Sequence, residues 1–215
     1  MKGVFIAITT ICMMSLLSSC AIQPEKNDLA AFYAHQPRSI LVVPVVNNTT
    51  EISASPVFVS TITRPLAERG YYVFPVYLSE LVLRDFGLAE AGHIHLLPTQ
   101  RLYELFGADS ALFITIKDWS SKYIVLASTV TVEMDYELKD TRTGTLLWQS
   151  TQKVVHSSGG AGGGLIGMAV AAAVNAMVTN YLPLARRAND QAFIAPKGLP
   201  AGPYNLEYGK DRDKF

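Results

Sequence analysis

The sequence predicts a single α/β sandwich domain: a mixed sheet of about five strands with helices packed on one face. Its expected order is a βαβ unit, an antiparallel meander and a long C-terminal helix. Three observations carry this. Ser39 to Val46 (SILVVPVV) is a β-branched apolar run with no polar position inside it, the pattern of a strand covered on both faces. Helical stripes that end at glycines alternate with further short strand-like runs as far as residue 107. From Thr129 to Lys139 the odd positions are polar and the even positions apolar, which marks a strand with one wet face.

Taken from the start, residues 1–19 have the layout of an export signal: Lys2, an apolar run from Val4 to Leu17, and small residues at Ser18 and Ser19 before Cys20. The run is shorter than the roughly 20 residues that span a bilayer core, which disfavours a permanent membrane helix. Residues 20–38 mix polar and apolar side chains and read as a tether, and residues 39–194 as the domain. Pro44 must fall at a strand end or a bulge, because it has no N–H to give a ladder. After the polar loop Asn47 to Glu51, the Ser55-Pro56 pair opens a helix carrying Phe58, Ile62, Pro65 and Leu66, which stops at Gly70. Pro65 is expected to kink it. Tyr71 to Val76 reads as a strand; Leu78, Leu81, Val82 and Phe86 form a helical stripe, and Pro98 to Phe106 a short helix closed by Gly107. Asp109 to Trp119 returns as a strand, and Asp140 to Gly144 is turn chemistry between the alternating strand and its partner Leu146 to Val155. The long helix should kink or restart at Pro183, and residues 195–215, rich in proline and glycine, read as an extended tail. Phe193, Tyr204 and Tyr208 are the side chains by which that tail would lie across a neighbouring subunit.

Composition narrows the function. The whole chain has 18 basic and 18 acidic residues, and loss of Lys2 with the signal leaves the mature protein near −1. No basic field is offered to nucleic acid. Cys12 departs with the signal, so Cys20 is the sole remaining thiol.

The tetrapeptide Leu17-Ser18-Ser19-Cys20 resembles the bacterial lipobox. That resemblance implies a diacylglyceryl group on the Cys20 thiol, cleavage before it, and usually palmitate or another acyl chain on the new amine. Two or three chains hold a protein durably where one holds it reversibly. Ala21 and Ile22, rather than Asp, follow Cys20, which by the logic of such proteins favours the outer membrane, with the domain facing the periplasm. Three longer strings are LAERGYYVFPV (Leu66 to Val76), LFGADSALFITIKDW (Leu105 to Trp119) and LKDTRTGTLLW (Leu138 to Trp148). They resemble a family of outer-membrane lipoproteins of unknown function, of the meningococcal vaccine-candidate type. More loosely they resemble the curli-secretion lipoprotein, the amino-terminal domain of the Tol translocation protein, and a ring-forming exopolysaccharide-export lipoprotein. What the resemblance implies is an α/β domain used for self-assembly or docking in envelope transport machines.

Chemistry-bearing motifs are sparse. The glycine run Ser157 to Gly164 lacks the Lys-Ser or Lys-Thr of a phosphate loop and does not open a βαβ unit. The uncharged segment Gly162 to Val178 follows it, and Gly159, Gly163, Gly167 and Ala171 form a small-residue stripe at intervals of four. Three readings stand: a helix on the protein's own sheet, a helix between subunits, or contact with membrane. Asn175 interrupts the last. His93 and His95 would share a face of an extended segment, but two ligands at no recognisable spacing make no metal site. Glu133 and Asp135 lie on the wet face of their strand. With no nucleophile elbow or Ser–His order either, the expectation is a non-enzymatic lipoprotein without cofactor or metal. Its partners would be membrane lipid through Cys20 and copies of itself or envelope transport proteins. The alternative is a periplasmic ligand-binding protein or enzyme using the crevice at the strand carboxyl ends, around Asn47 to Ser53 and Val76 to Leu78.

Overall fold

The computed structural model describes residues 28–124, 127–157 and 181–215. Strand β1 (Ser39–Val42) runs parallel to β3 (Tyr72–Val73) on one side and to β4 (Ser110–Ile124) on the other. β2 (Val46–Asn47) continues β1 along the same neighbour, pairing with Thr115 and Ile116 of β4. The predicted strand is therefore split at Pro44, while Val43 N and Asn48 N still donate to Leu112 O and Ile116 O across the break. β5 (Ala127–Asp140) and β6 (Leu146–Ser157) complete the sheet as an antiparallel meander, giving the order β3-β1-β4-β5-β6.

Helices cover both faces of the parallel half, which corrects the expectation of one covered face. Helix α1 (Ala30–His35), α2 (Ala54–Glu68) and α6 (Leu182–Ala192) lie on one side. There Phe32, Phe58, Ile62, Leu66, Ala185 and Ala188 meet Ile40, Val42, Leu112, Ile114, Met134 and Leu138. Helices α3 (Val76–Asp85), α4 (Ala91–Leu96) and α5 (Thr99–Phe106) lie on the other, where Leu83, Ile94 and Leu102 meet Leu41, Val43, Ala111 and Phe113. Full burial of each of the larger side chains contributes about 1.5–3 kcal/mol. The second layer stops at β4. Beyond it the odd positions of β5 are only half-buried, so the alternation seen in the sequence is the imprint of a sheet covered on one side.

Three local expectations shift. The strand placed over Tyr71 to Val76 shrinks to two residues, because its partner β1 is short and Pro75, without an N–H, begins the turn into α3. The extended segment expected at His93 and His95 is the short helix α4. Helix α2 begins at Ala54, just before the predicted Ser55-Pro56 start, while Ser53 Oγ donates to Glu51 instead of capping the helix.

The recurring strings find structural work at the amino end of β1. Gly107 ends α5 at φ 65°, a left-handed conformation that glycine adopts without Cβ strain. Asp109 Oδ2 then accepts from Arg38 N (3.1 Å), Ser39 N (3.2 Å) and Ser39 Oγ (3.1 Å), fixing β1 against β4. In the β5–β6 turn, Asp140 Oδ1 accepts from Arg142 N (2.9 Å), Thr143 N (2.8 Å) and Thr143 Oγ1 (2.9 Å). Buried Thr141 donates to Ala108 O and contacts Asp109 O, tying the two corners together.

Residues at both ends of the domain differ from their assignment. Leu29, Phe32 and Pro37 are buried, so the last part of the expected tether is already domain. Residues 195–215 are irregular but folded onto the domain, with Leu199, Ala201, Asp211 and Phe215 buried. Proline and glycine remove regular structure; they do not remove tertiary contacts.

Candidate functional site

Cys20, the stripe Gly159, Gly163, Gly167 and Ala171, and the segment Gly162 to Val178 lie outside the described residues. α6 starts at Leu182 with Pro183 in its first turn, where the missing N–H costs no helical bond, and Arg186 and Arg187 are exposed on it. Among the described residues no helix is long and apolar enough to cross a membrane.

Beside the carboxyl end of β2 lies an open recess of about 340 Å³ lined by Asn48, His95, Phe113, Thr115, Lys117, Asp135 and Glu137; of the residues expected to form the crevice only Asn48 lines it, and Val76 to Leu78 do not. It forms where the second helical layer ends and the wet face of β5 begins. A neighbouring recess of about 440 Å³ shares Asp135 and Glu137 and reaches Thr151 and Lys197. On its rim Asn47 Oδ1 accepts from Thr49 N and Thr49 Oγ1, and Asn47 Nδ2 donates to Glu51 O, which fixes the loop after β2.

The ionisable groups in the recess are directed at one another. Lys117 Nζ lies 2.9 Å from Asp135 Oδ2, and Thr151 Oγ1 donates to Asp135 Oδ1 at 2.7 Å. Burial pushes the Asp135 carboxyl upward, but Lys117 and Thr151 outweigh it and hold the group below its ordinary value. A carboxylate so held is a poor general base. Lys139 pairs with Glu137 and Lys153 with Glu133, each at 2.7 Å. Such exposed pairs contribute about 0–1 kcal/mol each, so their meaning here is neutralisation more than stability. His95 contacts Pro44 O through Nε2 at 3.0 Å and presents its ring edge-on to Phe113 at 5.2 Å. The carbonyl can only accept, so Nε2 carries the proton, and burial lowers the imidazole pKa towards the neutral form. His93 is exposed, and among the described residues no group of three His, Cys, Asp or Glu is placed to hold a metal.

The second organised region joins α1 to the tail, and local sequence signals missed it. Arg69 donates through Nη2 to Leu199 O (2.6 Å) and Asp211 Oδ2 (3.0 Å), which also accepts from Ala201 N (2.8 Å). Tyr71 Oη donates to Pro200 O at 2.7 Å, and burial raises its phenol well above the usual range. Trp148 Nε1 donates to Lys197 O at 2.9 Å. Tyr208 Oη meets Gln36 Oε1 at 3.3 Å, and the Arg212 guanidinium stacks 4.3 Å over the Tyr33 ring. A narrow apolar cleft of about 120 Å³ remains between α1 and tail, beside Phe32, Tyr33 and Tyr208. Phe193, expected to reach a neighbouring subunit, instead packs in its own core at 1% exposure against Trp148 and Tyr136. Tyr204 and Tyr208 remain exposed.

Comparison with known proteins follows this geometry. The family described as "Putative lipoprotein GNA1162-like" matches residues 27–200. A Neisseria meningitidis protein described as "Putative lipoprotein NMB1124/NMB1162" is 34% identical over 160 residues, 74% of each chain. The crystal structure of lipoprotein GNA1162 from Neisseria meningitidis superimposes with a TM-score of 0.55 at 34% identity, over 67% of this chain and 100% of that one. A PelC dodecamer structure from Paraburkholderia phytofirmans aligns at 19% identity and a TM-score of 0.43, over 74% of this chain and 94% of that one. With most of the domain matched and the fold shared, the chain belongs to the GNA1162-like lipoprotein family.

Proposed function

We propose that the protein is a non-enzymatic envelope lipoprotein, held at the periplasmic face of the outer membrane by lipid on Cys20, which self-associates as a scaffold or assembly component of a transport machine. Membership of a lipoprotein family is the observation that carries this reading. Two features support it. Ionisable groups in and beside the recess are engaged pairwise, Lys117–Asp135 and Lys153–Glu133 across strands and Lys139–Glu137 along β5, the chemistry of a solvated surface more than of a reaction centre. β6 is a 12-residue strand whose one strand partner among the described residues is β5, which makes its outer edge a candidate for strand addition. The stripe Gly159, Gly163, Gly167 and Ala171 follows β6 and is the second candidate contact. Quantitative crosslinking and pull-down of lipidated protein from envelopes, beside a Cys20→Ala variant, tests the reading. It predicts self-crosslinked species and co-purified envelope proteins that diminish when the lipid is lost. A lipidated chain that stays monomeric and captures no envelope protein would refute it.

A further inference from the structure

The tail presents apolar side chains to solvent although its own backbone is firmly held. Leu206 is 90% exposed and Tyr204 72%, with Tyr208 beside them also exposed. Their support is rigid: Tyr204 N donates to Gly70 O (3.0 Å), Asn205 Nδ2 to Glu68 O (3.0 Å), and Lys210 Nζ to Leu206 O (3.1 Å). A loose tail would fold such residues away; this one displays them.

We propose that Tyr204, Leu206 and Tyr208 form a membrane-contact surface that lies on the lipid headgroups of the bilayer to which Cys20 is anchored. The inference rests on the lipid-anchor reading given above and adds to it an orientation of the domain. Where the chain leaves the domain is the argument for lipid over a second copy. Leu29 is buried in the core, and only the short stretch from Cys20 to Leu29 separates it from the anchor, at most about 30 Å when fully extended. The tail lies directly against that exit, through Tyr208 on Gln36 and Arg212 on Tyr33. A short tether thus holds this patch near the bilayer at high effective concentration, without requiring affinity of its own. The chemistry also fits: tyrosine and leucine suit the boundary between headgroup and acyl chain, and exposed Lys210, Arg212 and Lys214 outnumber Glu207 and Asp213 around them.

The test uses the full lipidated chain. Since Cys12 leaves with the signal and Cys20 carries lipid, Leu206→Cys introduces a single free thiol for an environment-sensitive fluorophore. Gln100→Cys, exposed on α5 in the opposite helical layer, is the control. Both are reconstituted into phosphatidylethanolamine and phosphatidylglycerol vesicles containing headgroup-level spin-labelled lipid. The expected result is a blue-shifted emission at 206 and quenching several-fold stronger than at 100. Equal quenching at both positions overturns the proposal, and so does a blue shift at 206 without lipid quenching, which would mark a protein partner. Unlabelled wild-type protein provides a second reading: amide exchange across residues 203–210 slows several-fold on vesicles if the surface is covered, and an unchanged rate overturns the proposal. Flotation separates the two claims. A lipidated chain that does not float with vesicles refutes the anchor and this inference together, whereas one that floats with equal quenching refutes the orientation alone.

Discussion

Replacing Tyr136 by phenylalanine would remove one oxygen from the centre of the domain and leave its ring packing in place. That oxygen begins a buried relay: Tyr136 Oη donates to Asn189 Oδ1 (2.7 Å), Asn189 Nδ2 to Thr61 Oγ1 (2.7 Å), and Thr61 Oγ1 to Phe58 O (2.7 Å). It links β5 to α6 and α2, the layers that close the larger core. Asn189 is 0% exposed, so no water replaces a lost donor. An orphaned buried acceptor costs about 1–3 kcal/mol, which for a chain of this size lowers Tm by about 2–12 °C. Burial holds the Tyr136 phenol far above its ordinary pKa, so the loss should be the same from about pH 5 to about pH 9. Thermal and urea unfolding followed by circular dichroism read it. Adding Asn189→Leu completes a double-mutant cycle, in which the pair should couple by about 0.5–3 kcal/mol because the second change removes the group that the first orphans. A Tyr136→Phe variant as stable as wild type, or strict additivity with Asn189→Leu, would refute the relay.

Asp211→Asn removes the charge that faces partly exposed Arg69 and should cost about 1–3 kcal/mol, with faster amide exchange or proteolysis across residues 199–215 and little change in the sheet. Gly70→Ala is expected to lower Tm more than Gly87→Ala. Both glycines have positive φ, but a Cβ at Gly70 would sit 2.5 Å from Asn205 N whereas one at Gly87 meets nothing within 4 Å. Equal losses would mean that the tail yields freely. For Asp140, burial alone would raise the carboxyl, yet the Thr143 and His35 hydrogen bonds hold it below its ordinary value. Its contribution is therefore complete above the unfolded pKa of about 4 and lost as pH falls through the folded value; Asp140→Asn should flatten the acid limb of Tm against pH. An unchanged acid limb would count against that hydrogen-bonded turn.

Much of the architecture was legible because local patterns report burial directly. The alternation from Thr129 to Lys139 marks the half-covered strand β5, and Gly107 and the Asp140 turn sit where their chemistry requires. The second helical layer was missed although its signal was present: a run such as SILVVPVV, apolar at successive positions, needs cover on both faces, and α3, α4 and α5 supply the second. Helix α4 was hidden because a six-residue helix shows too little periodicity to separate from a loop. The Arg69–Asp211 tie between the end of α2 and the tail had no local signal at all. Arg69 and Asp211 are 142 residues apart, and neither the proline and glycine around the one nor the helix end at the other foretells their meeting. Of the crevice expected from the sequence only Asn48 lines the recess; the wet acids were legible, but pairing of Asp135 with Lys117 and of Glu133 with Lys153 depends on cross-strand register.

The central claim is that lipid on Cys20 determines where this domain works. Intact mass and membrane fractionation of the mature chain, beside a Cys20→Ala variant, address it most directly. The account predicts a wild-type chain that begins at residue 20, carries the added mass of acyl chains and fractionates with the outer membrane, while the variant lacks that mass and leaves the membrane. A wild-type chain of unmodified mass, or one that holds to the membrane equally after Cys20→Ala, would contradict it.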